Sequence, residues 1–412
     1  MASRVIPGDF AVTDIQLVST ASGNQIGLKY ILSELNLFES IFKNSISGNL
    51  NVTDTENLIS EFPIVGHEDI IISFGNPSDD SAEDIQVKFK VYKIDPYGRR
   101  GERSSEYTLH FITPEYFSHL KSKISKAFNY SKISDIISSI TKNNLGVDAD
   151  VEVTEGNHDI IIPNWRPFDA LNWLCTRAQN PQTNGSNYVF YEDIDGYKFK
   201  SIESMVGESP IQEYKWRPKN LPEGDDDFLV PNDYTIQNHF DIIRNIGTGM
   251  YSSKILLHDI IKREYEEITF DYLDTWNDHK HITNNATISK KPDELNEIFD
   301  SYVKFIPTHD QQFSNKKTNE IKNTILPRIS QMEQLNNFRI NLTVPGNTKL
   351  KVGSIVNFEL PSLMDSGGGN TDPDKLYSGK YLITSVRHFI DGQTHESILE
   401  LVKDSFYKDL AG

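Results

Sequence analysis

Residues 45–74 alternate between apolar and polar positions in two separate runs. A period of two is typical of a half-buried strand. A helical turn that ends at Pro63 separates the runs, and a second strand is predicted from Asp69 to Phe74. We predict a hairpin here, which is either an ordinary sheet edge or a dedicated assembly surface. The first run places Ile46, Gly48, Leu50 and Val52 on one face and Ser47, Asn49, Asn51 and Thr53 on the other.

The rest of residues 1–112 is also rich in strand patterns. The segments 85–91 and 107–111 alternate in the same way, and they flank the polar loop DPYGRRGER at 95–103. A hairpin-rich segment of this kind predicts a small barrel or a strongly curved sheet. We take residues 1–112 as a first β-barrel module.

Helical patterns begin after residue 112 and define a mixed α/β middle domain, residues 113–206. Thr113 can cap a helix whose first residue is Pro114. An isoleucine stripe predicts an amphipathic helix over 131–141, and Pro167 starts another helix with Cys175 facing inward. Residues 188–202 predict a hairpin that turns near Asp195 and Gly196.

The pattern is weaker between residues 207 and 330. Residues 207–250 begin with a proline-rich acidic stretch and predict a surface connecting segment that completes the first module, with helical residues at 235–246. Residues 251–330 predict a second mixed region with the long strands SKILLHDI and REYEEITFDYL. Within it, 276–323 is polar and is expected to be loop with some helix.

Residues 331–412 return to clear strand alternation and predict a closing β-barrel module. Phe338, Ile340, Leu342 and Val344 share one face, Pro345 and Gly346 turn the chain, and LKVGSIVNFELP follows as the return strand. The last two strands form a hairpin around Asp391 and Gly392. The predicted fold class is therefore α+β and mainly β, with two β-barrel modules flanking a mixed α/β middle region.

The composition narrows the range of functions. The 412 residues carry 59 acidic and 41 basic side chains, a formal net charge of −18, which disfavours sequence-specific binding of nucleic acid. Cys175 is the single cysteine, so intrachain disulfides and multi-cysteine zinc sites are excluded, and we expect it to be a buried small apolar residue. The sequence has neither a signal peptide pattern nor an apolar run long enough to cross a membrane.

No residue set in the sequence forms a recognisable catalytic, metal or cofactor site. His279 and His281, beside Asp278, are too few ligands and are expected to be structural surface residues. The sequence EDIDG at 192–196 lacks the other ligands of a calcium loop and predicts a hairpin turn. Phosphate-binding glycine loops and nucleophile motifs are missing, although a glycosidase carboxylate pair is not excluded by sequence.

Arg99, Arg100 and Arg103 form a cationic cluster in an acidic chain. A solvated loop is one interpretation. The other is an interface with an acidic neighbouring subunit, because guanidinium groups suit carboxylate partners.

Three stretches resemble the baseplate central hub proteins of contractile-tailed bacteriophages, which are similar to the hub portion of type VI secretion spike proteins. They lie at 47–74, at 161–178, which has a Pro-x-Trp-x-Pro-Phe helix start, and at 343–361 together with 378–404. The resemblance implies a homotrimer with two tube-like β-modules per chain. Such a pseudo-sixfold ring adapts the hexameric tail tube to the trimeric central spike and leaves a channel for DNA.

The resemblance also implies partners and a location. The expected partners are the central spike protein, tail tube or tube-initiator proteins, and the tape measure protein as a further candidate. The expected location is the virion tail baseplate after assembly in the host cytoplasm, with a separate protein as the piercing tip. Ser47, Asn49 and Asn51 join Arg99, Arg100 and Arg103 as candidate interface residues, the first three on an edge strand that pairs between subunits.

Two alternatives remain open from the sequence. One is a glycan hydrolase with an unassigned carboxylate pair, and the other is a monomeric binding module of a tail. The hub hypothesis differs from the first because it assigns no enzymatic role and no cofactor.

Overall fold

Alternating apolar residues build a long, mostly antiparallel sheet that receives strands from both ends of the chain. The structure, a computed structural model, describes residues 11–20, 22–62, 64–75, 85–99, 104–217, 229–287, 298–308, 322–362, 372–391 and 394–406.

The strands of the first module cover one apolar core. Leu50, Phe89 and Leu109 are fully buried in it, as a period of two with one inward face requires. The elements are β1 Ala11–Val18, β2 Gln25–Gly27, β3 Leu32–Ser40, β4 Ser47–Asp54, α1 Leu58–Glu61, β5 Asp69–Gly75, β6 Ile85–Arg99 and β7 Ser105–Ile112.

The hairpin predicted at 45–74 is wrong, although both of its strands exist. β4 lies between β3 and β7, and β5 lies between β1 and β6. The cause is local: the Asp54 carboxylate accepts hydrogen bonds from the backbone N–H groups of Glu56 and Leu58, each at 2.8 Å, and starts α1. This turn leads the chain away from β4 before β5 begins.

The middle domain matches its predicted elements closely. The helix stripe at 131–141 is confirmed as α3, and the helix that begins at Pro167 is confirmed as α4 with Cys175 buried. Its start is fixed by the backbone N–H of Phe168, which donates to Nδ1 of His119 at 3.1 Å. The elements are α2 Glu115–Lys121, β8 Ile124–Ser131, α3 Ile133–Ile140, β9 Ala149–Val151, β10 His158–Trp165, α4 Pro167–Cys175, β11 Tyr188–Asp193, β12 Gly196–Ser201 and α5 Ile202–Val206.

The predicted cap at Thr113 is wrong. α2 begins at Glu115 without a side-chain cap, and the Thr113 hydroxyl donates instead to Oε2 of Glu192 at 2.8 Å. The buried carboxyl of Glu192 competes for this hydroxyl because a buried acceptor without a partner costs more than an uncapped helix end that water can reach. The EDIDG turn is confirmed, with Asp193 and Gly196 paired across it.

The segment 207–250 adds strands to the closing module. β13 Gln212–Lys215 pairs with β20 (Ile355–Glu359) and β14 Asp233–Asn238 pairs with β19 (Phe338–Pro345), so its described strands do not complete the first module as expected. The helix predicted at 235–246 is wrong over its first half: β14 precedes α6 Ile242–Gly247, which the Asp241 side chain caps. Alternation of Tyr234 and Ile236 with polar neighbours favours a strand there.

A smaller unit lies between β14 and the rest of the closing module. Its elements are β15 Ser252–Asp259, β16 Glu264–Asp271, α7 Tyr272–Thr275, β17 Asn285–Ala286, β18 Val303–Thr308 and α8 Lys322–Gln334. The two long strands predicted at 253–260 and 263–273 are confirmed as the antiparallel pair β15 and β16. The segment expected to be loop with some helix also supplies β18, which pairs parallel with β15.

The closing module follows with its own core around Leu342, Phe358 and Leu401. Its predicted last hairpin is confirmed, but the return strand β20 pairs with β21 and not with β19. The elements are β19 Phe338–Pro345, β20 Ile355–Glu359, β21 Gly379–Asp391, β22 His395–Lys403 and β23 Ser405–Phe406.

The two modules repeat one strand order within the 13-stranded sheet of the described chain. The order β3-β4-β7-β6-β5-β1 in the first module corresponds to β14-β19-β22-β21-β20-β13 in the closing module. The last pair differs, because β1 is antiparallel to β5 whereas β13 is parallel to β20. The mainly β class is confirmed, and closure of each module into a barrel stays a prediction.

Gly48 offers a test of how tightly this sheet is packed. A Cβ there would lie 2.4 Å from the backbone oxygen of Asn36 and 2.5 Å from the Phe111 ring. We expect Gly48→Ala to lower the free energy of unfolding by about 1–3 kcal/mol, measured by denaturant titration. Gly27→Ala is the matched control, because a Cβ at Gly27 meets nothing within 4 Å. Equal stability of the two variants would contradict the packing described here.

Candidate functional site

One face of the long sheet is polar across both modules. Because opposite residues of neighbouring strands point the same way, the register places a continuous set of side chains on this polar face, half-buried except for the buried Asn36. The other face of the same strands packs into the two cores. The set includes Glu34, Asn36, Phe38, Asn49, Asn51, Thr108, His110, Arg339, Asn341, Arg387, Phe389 and Glu400.

Ser47, Asn49 and Asn51 lie on this polar face, but β4 is not an edge strand. Both of its sides are paired, with β3 and with β7, so the expectation that its backbone pairs between subunits is wrong. Asn49 accepts a hydrogen bond from Nδ2 of Asn36 at 2.8 Å, and Asn51 accepts one from the Thr108 hydroxyl at 2.7 Å. Their candidate role as side-chain contacts stays a prediction.

Arg99 is the last residue of β6 and is exposed. β6 therefore extends into the segment predicted as a polar loop. Arg100 and Arg103 lie outside the described residues, and the interface role of the arginine cluster stays a prediction.

The two modules meet at a junction that we define as the pairing of β3 with β21. Residues 34–40 run antiparallel to 385–391, with Ser40 opposite Ser385. On the polar face, Nε of Arg387 donates to Oδ1 of Asn36 at 2.8 Å, and the Arg387 guanidinium lies 4.0 Å from the Glu34 carboxylate. The first module is thus joined to the closing one by main-chain and charged side-chain contacts.

The core side of the junction holds buried titratable groups. Burial, together with the nearby carboxyls of Asp193 and Glu192, raises the pKa of Glu39 to about 8. Burial lowers the pKa of His388 to about 4. Their 3.8 Å separation would suit an ion pair, but the cost of burying charge favours the neutral form of both side chains near pH 7.

Glu192 connects this region to the middle domain. Its Oε2 accepts hydrogen bonds from the backbone N–H of Ile46 and from the Thr113 hydroxyl, each at 2.8 Å. Burial raises its pKa to about 8 in spite of these hydrogen bonds. The Asn36–Arg387 and Glu39–His388 contacts were missed by sequence reasoning; the alternation of LSELNLFES at 32–40 was the one available signal.

His279 and His281 are not the surface residues that the sequence predicted. Nδ1 of His279 lies 3.1 Å from Glu203, and Nδ1 of His281 lies 2.8 Å from Asp404, so the two rings serve different carboxylates. In the part of the chain that the structure describes, no group of three or more His, Cys, Asp or Glu residues is placed to hold a metal ion. Cys175 is buried as predicted, and burial raises the pKa of its thiol to about 12.

The fold and the sequence are similar to tail proteins of phages. The chain is 22% identical over 393 residues to the "Probable baseplate hub protein gp334" of Vibrio phage KVP40, covering 91% of this chain and 90% of that protein. The 43 kDa tail protein of prophage MuSo2 from Shewanella oneidensis superposes with a TM-score of 0.57 at 11% identity, over 95% of this chain and 99% of that one. No protein-family model matches the chain.

Two further structures share the fold. The tail protein from Neisseria meningitidis MC58 has a TM-score of 0.55 at 11% identity over 96% of this chain and 97% of that chain. A chain of the lidded Francisella PdpA–VgrG complex has a TM-score of 0.50 at 11% identity over 99% of this chain and 55% of that chain. The resemblance to baseplate hub proteins is confirmed by the curated relative, and the solved structures establish the shared fold. Within the described chain, no helix is both long and apolar enough to span a membrane.

The raised pKa of Glu39 predicts a pH-dependent stability. Between about pH 4.5 and 8 the folded protein keeps a proton that the unfolded chain has lost, so this group makes stability fall as pH rises through that window and leaves it level above. Glu39→Gln removes the effect. The difference in thermal midpoint, variant minus wild type, should therefore increase as pH rises from 5 to 8.

The matched control is Leu37→Val, a buried change on the same strand that involves no titratable group. Its thermal midpoint should differ from the wild type by the same amount at every pH. A Glu39→Gln difference that is flat, or that shrinks towards pH 8, would show that Glu39 ionises normally in the folded protein.

Proposed function

We propose that the protein is a structural baseplate hub that forms a homotrimeric, pseudo-sixfold ring. The ring adapts a hexameric tail tube to a trimeric central spike and surrounds a channel for DNA. The similarity to a protein named as a baseplate hub supports the hub role. The ring is supported by the strand order that the two modules of the chain share.

The repeated strand order is the main observation in support of the proposed ring. Two modules with the same succession of strand neighbours stand side by side in one sheet and meet at the β3–β21 junction. Heterologous contacts of this type close into rings when the rotation between neighbours divides a full turn. Three chains with two modules each supply six similar positions around an axis, which suits a sixfold partner on one side and a threefold partner on the other.

The polar face is the surface we assign to the channel. Its cations lie beside carboxylates: Arg387 lies beside Glu34, and Arg339 lies 3.4 Å from Glu400. Amide side chains such as Asn36 and Asn49 fill positions between them. A wall whose positive charges are already neutralised, in a chain of net charge −18, offers phosphate little attraction, so DNA passes without sticking.

We further assign the partners and the location that follow from this role. The partners are the central spike protein, tail tube or tube-initiator proteins, and the tape measure protein; the location is the virion baseplate after assembly in the host cytoplasm. The five segments 1–112, 113–206, 207–250, 251–330 and 331–412 remain our division of the chain, with the strands of 207–250 assigned to the closing module. The relatives are named as tail and hub proteins, and no observation favours the glycan hydrolase or the monomeric binding module.

The ring predicts a defined mass in solution. Analytical ultracentrifugation of the chain mixed with its trimeric spike should show a species containing three copies of this 47.0 kDa chain. Negative-stain images of that species should show an opening along the axis. A chain that stays monomeric at high concentration, both alone and with the spike, would overturn the proposal.

The arginine cluster gives a second test. Replacing Arg99, Arg100 and Arg103 with Ser should weaken the trimer while the thermal midpoint of the chain stays unchanged, because the proposed role of the cluster is contact with a neighbouring subunit and Arg99 is exposed. The matched control removes the same charge from exposed positions of the middle domain, Lys121, Lys123 and Lys142, and should leave assembly unchanged. Equal assembly of both variants would remove the cluster from the interface.

A further inference from the structure

The junction shows how this fold joins two modules through a single long strand. The first part of β21, residues 379–382, pairs with β20 inside the closing module. The register then shifts between Ile383 and Ser385, and residues 385–391 pair with β3 on the same side, while β22 stays on the other. β21 thus pairs first with a strand of its own module and then with a strand of the other module.

β6 has the same design, but its second half has no such partner in the described chain. Residues 85–90 pair with β5, the register shifts between Val91 and Lys93, and the strand continues to Arg99 beside β7 with a second shift between Asp95 and Gly98. On the side opposite β7, none of the described strands pairs with residues 93–99. Superposing the two register shifts aligns Asp95 of β6 with Arg387 of β21.

β14 takes the place of β3 in the closing module. β14 pairs with β19 as β3 pairs with β4, and among the described strands it has no neighbour on its other side. Asn238 of β14 lies opposite Arg339 of β19, and Phe38 of β3 lies opposite Ser47 of β4. The register therefore makes Asn238 the counterpart of Phe38. The central residues of β3 are buried under the junction, whereas those of β14 are half-buried or exposed.

We propose that residues 93–99 of β6 in one copy pair with β14, residues 233–238, of a second copy. This contact repeats the β3–β21 junction between chains and places Asp95 of one copy opposite Asn238 of the next. The inference rests on the proposed ring and names the strands that would close it. An edge strand that lacks a partner in the single chain is protected by pairing of this kind.

The side chains around β14 suit this occupant. A cleft of about 410 Å³ opens on the polar face beside β14, lined by Asn238, Asp241, Arg244, Arg339, Asn341 and Glu400. In the β3–β21 junction a cation, Arg387, enters the corresponding position and meets Asn36 and Glu34. In the contact between copies the entering residue is an anion, Asp95, and the receiving cleft holds two cations, Arg244 and Arg339, beside the carboxylates of Asp241 and Glu400.

Both cations of the cleft already lie beside a carboxylate, so the position left for the anion is the one N–H of Arg339 that makes no hydrogen bond in the described part of the chain. Arg339 lies 3.4 Å from Glu400, and Arg244 lies 3.1 Å from Glu333, while Asp241 is engaged in capping α6. Nε of Arg339 is buried and makes no hydrogen bond within the described residues. In the single chain, Asp95 binds Lys93 on its own strand at 2.6 Å, an exposed pair that the half-buried Arg339 can replace.

An exposed apolar patch borders β14 on the side where the neighbouring strand would bulge. Phe240 is 55% exposed, Ile242 42% and Ile243 86%. In the β3–β21 junction Ile41, an apolar residue just beyond the end of β3, is buried, and its backbone N–H donates to the carbonyl of Thr384 in the bulge. The bulge residue of β6 is Tyr92, 51% exposed, so an aromatic ring would cover the apolar patch.

The test is disulfide cross-linking, for which the chain is suited because its single cysteine, Cys175, is buried. The double variant Asp95→Cys/Asn238→Cys is oxidised at the concentration where the wild type forms its oligomer. Non-reducing electrophoresis should show dimers and a closed covalent trimer, since paired Cα positions of neighbouring strands are within disulfide range. Each single variant should give no trimer.

The matched control is Phe38→Cys/Arg387→Cys, the equivalent pair inside one chain. It should form its disulfide within the monomer band. As a second measurement, Asp95→Arg and Arg339→Asp should each weaken association about tenfold, and the combined charge exchange should recover most of it.

The outcomes separate this inference from the proposed function. An oligomer that forms without the Asp95–Asn238 cross-link means that the ring closes through other strands, and the inference is then wrong while the hub role stands. Cross-linking of either cysteine to the spike protein alone would also overturn the inference. Absence of any oligomer, with or without the spike, would overturn both.

Discussion

Edge strands set the main constraint on this molecule. A β-sheet that stops leaves a row of N–H and C=O groups without partners, and these groups must find water, a covering element or another strand. The chain solves the problem once internally, by adding the second half of β21 to β3. The same solution is available at β6 and β14, so the architecture of one chain already contains the geometry by which copies can be joined.

The modules are also fixed by contacts made through the middle domain. Glu192 accepts hydrogen bonds from Ile46 in the first module and from Thr113. Nζ of Lys351 in the closing module binds Asp195 at 2.6 Å in the turn that follows β11. Near this point Glu39 and Glu192 are buried, and burial raises the pKa of both carboxyls to about 8. At neutral pH these buried carboxyls lower the stability of the fold, but they hold polar groups where the first module, the middle domain and the closing module meet. A junction held in this way is a positioned contact and not a hinge.

The sequence contains much of the local structure because burial on one face imposes a clear period. β4, β7, β19 and the helix at 133–140 follow directly from their apolar spacing. The identity of strand neighbours does not follow, since alternation fixes which face is buried and leaves the pairing partner open. The predicted hairpin at 45–74 failed for that reason. Arg387 and Asn36 are 351 residues apart, and nothing in the spacing of either residue indicates their contact.

The junction has a consequence for the order in which the chain is made. The hydroxyls of Ser40 and Ser385, which face each other across it, are separated by 345 positions in the sequence. During synthesis the first module can fold long before β21 leaves the ribosome, because domains fold as units from the amino-terminal end. The edge of β3 that pairs with β21 therefore stays exposed until almost the entire polypeptide has been synthesised. Premature termination would therefore release an incomplete chain with an unpaired strand edge, and slow translation would lengthen the time for which that edge is exposed. Chaperones that bind exposed strands would act at this stage of synthesis.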